Sequence, residues 1–231
     1  MSEPIRIALM GATGLTGRAI IAATRGREDV RLTALARREQ ALPEGVRMEM
    51  FVADPSKWGE VFEAVRPTVL INALGTTWRK SGQSENAFRD VDQRLVLDTA
   101  RKAHAAGVER MIHISSVGAD PVSKNFYLRV KGEVERDLQK LKFRRLDVMR
   151  PGLLRGERGS DRRGKERLAI ALSPLMDMIL HGRHRRFRSI AATTLADGCL
   201  AAARKATQGR YIHENDNIVR LAKSLPRPME T

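Results

Sequence analysis

Short apolar runs and longer amphipathic stretches alternate along this chain. Ile5 to Met10 is apolar apart from Arg6 and runs into glycines, and Leu15 to Arg25 then carries helix-forming residues up to Gly26, a suitable C-terminal stop. Together they read as strand, turn, helix. Val30 to Ala36 and Val46 to Ala53 read as the second and third strands. Asp54-Pro55 supplies an N-cap followed by proline at the first helical position, opening a helix to about Val65 that Pro67 ends. Thr68 to Leu74 and Met111 to Ser115 are nearly continuous apolar runs, the pattern of central parallel strands covered on both faces. Between them, Asn86 to Ala106 is a long helical segment closed by Gly107. A helix from about Asn125 to Leu141, a strand near Leu146 to Met149 and a break at Pro151-Gly152 follow. Thr193 to Lys205 is helical again, Arg210 to His213 reads as a last strand, and Leu225 to Thr231 as a loose tail.

This β-α alternation predicts one α/β domain over residues 1–231, a doubly wound parallel sheet that binds ligands beyond the carboxyl ends of its strands. From Arg155 to Arg188 the pattern loosens into an arginine-rich stretch around one apolar helix. We read residues 155–190 as a small C-terminal flap over the site.

The turn Gly11-Ala12-Thr13-Gly14-Leu15-Thr16-Gly17 lies between the first strand and first helix. Its three glycines have separate tasks: turning tightly, admitting a pyrophosphate to the backbone, and letting helix pack on strand. Unpaired N–H groups at the helix start, with the helix dipole, stabilise the anion. Gly11, Thr13, Gly14, Leu15, Thr16 and Gly17 are therefore the candidate dinucleotide cradle, and the sheet reads as a Rossmann fold. Cofactor choice is usually set after the second strand, where an acidic residue would hold the ribose 2′-hydroxyl. Here the sequence is Ala36-Arg37-Arg38, a fork suited to a 2′-phosphate, which favours NADPH over NADH. Two solvated arginines in an arginine-rich protein are the alternative. Asp54 suits the adenine amino group and the helix cap equally well.

Tyr127 and Lys131 are four residues apart on one predicted helix, so their side chains share a face. A phenol with a pKa near 10 exchanges protons poorly at neutral pH, and a neighbouring ammonium favours its anion. Ser116, at the end of the preceding strand, could hold a substrate oxygen while Tyr127 exchanges its proton. A surface pair on an amphipathic helix is the competing account.

With these residues in view, the chain resembles an atypical short-chain dehydrogenase/reductase, closest to the Tat-interacting-protein-like oxidoreductases. The matching segments are GATGLTGR from Gly11, LGTTWRKSG from Leu74, FRDVD from Phe88, ISSVGAD from Ile114, FYLRVKGEVE from Phe126 and MRPGLL from Met149. The resemblance implies that Asn72, Ala73, Leu74 and Gly75 line the adenosine side of the cofactor. It further implies that Lys131 also holds the nicotinamide ribose, that Pro151 and Leu153 flank the nicotinamide, and that Ser116 rather than Ser115 is the catalytic hydroxyl. The asparagine completing the catalytic tetrad of the best-studied members has no counterpart, since Asn86 lies too early in its helix. The family also contains members whose main role is nucleotide-dependent regulation.

Composition bounds the rest. The net charge of +15, with arginines outnumbering lysines about three to one, favours anionic partners, although genome base composition produces such an excess without function. Cys199 is the single cysteine; its apolar neighbours suggest a packed thiol, and its solitude fits a reducing cytoplasm. No secretory signal is expected at the start, and Leu168 to Leu180, broken by Ser173, Pro174 and Asp177, is too short for a membrane span. His181 and His184 lack the flanking ligands of a metal site, and His113 reads as a satisfied interior histidine. Trp58 and Trp78 stand isolated, and the basic segments Arg155 to Arg167 and Arg183 to Arg188 adjoin no nucleic-acid module.

Three functions are compatible with this reading. The leading one is an NADPH-dependent oxidoreductase reducing a carbonyl or quinone; the others are a non-catalytic dinucleotide-binding regulator and a basic nucleic-acid-binding protein. The expected partner is a small-molecule substrate, with nucleic acid disfavoured, no membrane span and room for a homo-oligomer.

Overall fold

The computed structural model describes residues 3–39, 45–46, 48–156 and 180–228. Seven parallel strands form the main sheet: β1 (Ile5–Met10), β2 (Val30–Ala36), β3 (Met48–Val52), β4 (Val69–Asn72), β5 (Arg110–Ile114), β6 (Arg145–Met149) and β9 (Gly209–His213). Their order is β3-β2-β1-β4-β5-β6-β9, so the winding reverses between β1 and β4. That crevice is where a doubly wound sheet takes its ligand. Two further short strands, β7 (Leu154–Arg155) and β8 (Ile190–Ala191), pair in parallel and bring together the two ends of the expected flap. The apolar helix anticipated inside that flap, and four of the flap's nine arginines, lie outside the described residues.

Both sheet faces are covered, which is why the strands read as continuous apolar runs. Side chains alternate between the two faces. Ile7, Leu9, Ile71 and Ile112 meet α1 (Leu15–Ala23), α6 (Ala192–Ala203) and α7 (Asn215–Lys223) through residues such as Ile20, Leu195 and Ile218. Ala8, Met10, Leu70 and Met111 pack on the other side against α2 (Trp58–Val65), α4 (Val96–Ala105) and α5 (Phe126–Gln139), through Phe62, Val96 and Val134. Cys199 is fully buried in the first of these layers, and burial pushes its thiol pKa up, as fits a packed thiol.

Helix α2 ends at Val65, as expected, and is closed by Arg66 in the left-handed conformation at φ 49°. Two local differences from the sequence reading have physical causes. The long helix expected between β4 and β5 begins as α3 (Glu85–Arg89) and passes through a π-helical turn over Asp90–Leu95 before becoming α4. Helix α7 was not expected: its core-facing apolar residues, Ile218, Val219 and Leu221, follow a polar start in a nine-residue segment, too short a stretch for a helical period to stand out.

Candidate cofactor and catalytic site

The glycine turn sits at the carboxyl end of β1, against the end of β4. Gly11 takes φ 79°, and a Cβ there would collide with the carbonyl of Ala73. A Cβ on Gly17 would strike the Gly11 backbone, so this glycine lets α1 close onto the turn. At Gly14 the only near atom among the described residues is Gly11 O, at 3.4 Å, which leaves that side of the cradle open for a ligand. Gly14 is the N-cap of α1 and offers no side-chain cap, and no acidic residue stands in the first turn. The first N–H groups of α1, beside Leu15 and Thr16, suit an anion, with Thr13 at the turn's tip. The cradle fits a pyrophosphate.

Around it, Ala73 donates its N–H to Met10 O at 3.0 Å, and Leu74 donates to the Asn72 carboxamide at 3.0 Å, which fixes the loop that continues to Gly75. Arg37 and Arg38 are exposed immediately beyond β2. Asp54 caps the 3-10 turn Pro55–Lys57 by accepting from Ser56 N–H at 2.9 Å, and that bond lowers its pKa. Capping thus occupies one of its oxygens. On the far side, Pro151 accepts from Val117 N–H at 3.0 Å, while Leu153 is 48% exposed.

Tyr127 and Lys131 project from α5, whose start is capped by Asn125 accepting from Leu128 N–H at 3.1 Å. A Cβ on Gly132 would collide with the backbone of Asp120 and Pro121, so glycine there allows the helix to lie against the loop after β5. Lys131 Nζ stands 5.9 Å from the Tyr127 ring centroid. Its ammonium is buried and paired with Asp92 at 2.7 Å. Burial alone would lower its pKa; Asp92, then Tyr127 and Glu135, reverse this and raise it, so the group is charged.

The two serines after β5 are in different situations. Ser115 is buried and donates to Glu135, whose carboxylate also takes a bidentate bond from Arg150. Ser116 is half-buried and, among the described residues, has only a long 3.4 Å contact to Val117 O, leaving its hydroxyl available.

Asp92 is the residue that sequence reasoning missed. It lies in the π-helical turn, fully buried, and also accepts from Thr76 N–H at 2.6 Å. One carboxylate thereby ties Lys131 to the Gly75-Thr76 loop. π-Bulges often mark functional positions, but a search for asparagine and a 3.6-residue period both pass over this aspartate. Two further expectations need correction. His113 is interior, yet neither ring nitrogen has a hydrogen-bond partner among the described residues; burial, then the charge of Lys131, push its pKa down to about 3, keeping it neutral. Trp78 is not isolated in space: its ring meets Phe126 and Phe88.

The model of the NAD(P)H-binding family matches residues 11–165, a span that takes in the glycine turn, the Tyr-Lys helix and β6. The chain belongs to this family. Among family relatives, "Protein fmp52, mitochondrial" of Aspergillus niger is 36% identical over 164 residues, covering 68% of this chain and 69% of that protein. Its namesake in Saccharomyces cerevisiae is 35% identical over 153 residues, covering 65% and 66%. These names replace the narrower Tat-interacting-protein-like assignment with the broader one. They also correct the expectation of a cytoplasmic protein, because the relatives are named as mitochondrial. A single cysteine cannot form an internal disulfide in any compartment, so it does not locate the protein. Among solved structures, the UDP-glucose 4-epimerase of Thermus thermophilus in complex with NAD superposes with TM-score 0.68 at 16% identity, covering 95% of this chain and 83% of that one. Bordetella bronchiseptica WbmG in complex with NAD gives 0.68 at 12%, covering 92% and 73%. At these identities the likeness shows the fold. Among the described residues, no helix is long and apolar enough to cross a membrane.

Proposed function

We propose that the protein is an NADPH-dependent oxidoreductase of the atypical short-chain dehydrogenase/reductase type that reduces a carbonyl or quinone, with Tyr127 as proton donor. The observation carrying this reading is the buried, charged Lys131 one helical turn from Tyr127, with the uncommitted Ser116 hydroxyl on the adjoining loop. A nicotinamide nucleotide on the glycine cradle supplies the reducing equivalents. Gly11 to Gly17 hold its pyrophosphate, Arg37 and Arg38 its 2′-phosphate, Asp54 and Ala73 to Gly75 border the adenosine side, and Pro151 and Leu153 flank the reacting ring. Ser116 orients the substrate oxygen by donating a hydrogen bond. Tyr127 then gives that oxygen a proton, and the Lys131 ammonium stabilises the negative charge left on the phenol oxygen. Asp92 holds the ammonium in position. Residues 155–190 would cover the substrate as a flap within one domain.

The test is NADPH oxidation across a panel of aldehydes, ketones and quinones, with Tyr127→Phe in parallel. Turnover lost in the variant supports the mechanism. Tight NADPH binding with no turnover on any acceptor replaces it with a nucleotide-dependent regulatory protein.

A further inference from the structure

Four aromatic rings form a continuous unit beside the proposed catalytic residues. Trp78, on the loop after β4, meets Phe126 edge-on at 5.3 Å and Phe88 at 6.3 Å between centroids. Phe88 is fully buried and meets Tyr127 edge-on at 5.7 Å. The series therefore runs from the Tyr127 phenol to a surface indole that is 38% exposed. Tilted and edge-on packing of this type fixes ring orientation, so Trp78 is a preset surface. Across the site, Leu153 is 48% and Phe187 41% exposed, and they are close along the backbone: a Cβ on Gly152 would sit 2.9 Å from Phe187 O. Apolar groups thus stand beyond the ends of both β4 and β6, with Ser116 and Tyr127 between them in the sheet order.

Charges of both signs border this wall: Arg89 lies over the Phe126 ring at 5.4 Å and is paired with Glu133 at 2.6 Å. Arg79 and Lys80 follow Trp78 and are exposed. Arg129 lies over the Phe126 ring at 5.7 Å and gives its guanidinium to two backbone carbonyls, Ser123 O at 3.0 Å and Lys124 O at 3.3 Å, instead of a carboxylate. A cation so placed retains its charge for a ligand at the aromatic rim.

Resting on the reductase reading, we propose that Trp78 is the substrate wall of this site and that the substrate is a planar aromatic carbonyl compound bearing an anionic group. The aromatic body lies on Trp78, the anionic group faces Arg129, and the carbonyl oxygen meets Ser116 and Tyr127. In the balanced step the carbonyl carbon would accept a hydride, two electrons and one proton, supplied by bound NADPH, which would leave as NADP⁺. The C=O π bond opens, Tyr127 protonates the oxygen, and solvent returns a proton to Tyr127.

Calorimetry on the full chain saturated with NADP⁺ tests binding separately from turnover, using 2-naphthoate, 2-naphthol, hexanoate and UDP-glucose. The expected result is tightest binding of 2-naphthoate, weakened about tenfold by Trp78→Ala, restored by Trp78→Phe, with NADPH affinity unchanged. Arg129→Gln should weaken 2-naphthoate and leave 2-naphthol unaffected. Reduction of 6-formyl-2-naphthoate then reports on the chemistry. If 2-naphthoate binds through Trp78 but neither this aldehyde nor any aldehyde, ketone or quinone of the panel is reduced, the wall stands and the reductase reading fails; if another carbonyl is reduced and this aldehyde is not, the substrate proposal is overturned. Equal or tighter binding of 2-naphthol, hexanoate or UDP-glucose, or a Trp78→Ala variant with unchanged 2-naphthoate affinity, overturns the proposal even where another carbonyl is reduced.

Discussion

Lys131 and Asp92 form an ion pair between α5 and the π-helical turn, Nζ to Oδ1 at 2.7 Å, with side chains only 5% and 0% exposed. Removing one partner leaves an uncompensated buried charge, which typically costs about 3 to 5 kcal/mol. Asp92→Ala should therefore lower unfolding stability by roughly that amount, and Lys131→Met should recover much of the loss when combined with it. Denaturant titrations of the two single variants and the double variant check this. Strictly additive losses would show that the two groups do not act as a pair.

The cofactor prediction rests on Arg37 and Arg38, exposed at the end of β2 where a carboxylate would otherwise select NADH. NADPH should bind more tightly than NADH, and Arg37→Ala with Arg38→Ala should abolish the preference at a cost of about 2 to 4 kcal/mol. Calorimetry with both nucleotides decides the matter. Equal affinities in the unmodified protein would contradict it.

In catalysis, Tyr127→Phe keeps the ring that packs on Phe88 but removes the transferable proton. Turnover should fall by at least about 10²-fold while NADPH affinity stays close to that of the unmodified protein. Lys131→Met should impair both, since it also leaves Asp92 unpaired, and Ser116→Ala should mainly lower kcat. Steady-state kinetics alongside nucleotide titrations separate these effects.

The sheet was legible because its signals are local. Ile5–Met10, Val30–Ala36 and the central strands announce themselves by apolar runs, and the Gly11, Gly14 and Gly17 spacing needs no tertiary information. Tyr127 and Lys131 were legible for the same reason, being one helical turn apart. Asp92 was not, because its role depends on a π-turn that rotates it inward and on a lysine in a different helix. Trp78 shows the same limit: it lies on a loop and its neighbours Phe88 and Phe126 come from two different helices, so no sequence window holds the cluster. Helix α7 and the β7–β8 pair were missed because one is only nine residues long, with its apolar face following a polar start, and the other joins residues 154–155 to residues 190–191.

His113 provides a test of how this protein responds to acid. The ring is fully buried on β5, its nitrogens have no partners among the described residues, and its folded-state pKa is about 3, against an ordinary value near 6.5. Below pH 6.5 the unfolded chain binds a proton at this position and the folded chain does not, so stability falls as pH falls. The contribution is fully present above pH 6.5 and is lost progressively toward about pH 3, at a slope on the order of 1 kcal/mol per pH unit. His113→Met removes both the titration and two buried, unpaired ring nitrogens in favour of an apolar side chain of similar length. At pH 7 the variant should be within about 1 kcal/mol of the unmodified protein, because no hydrogen bond is lost. Between pH 6.5 and 4.5 it should lose less stability than the unmodified protein, by roughly 2 kcal/mol over that interval. Urea midpoints at pH 7, 6 and 4.5 measure this difference, and parallel loss in both proteins would show that His113 is protonated in the folded state as readily as in the unfolded one.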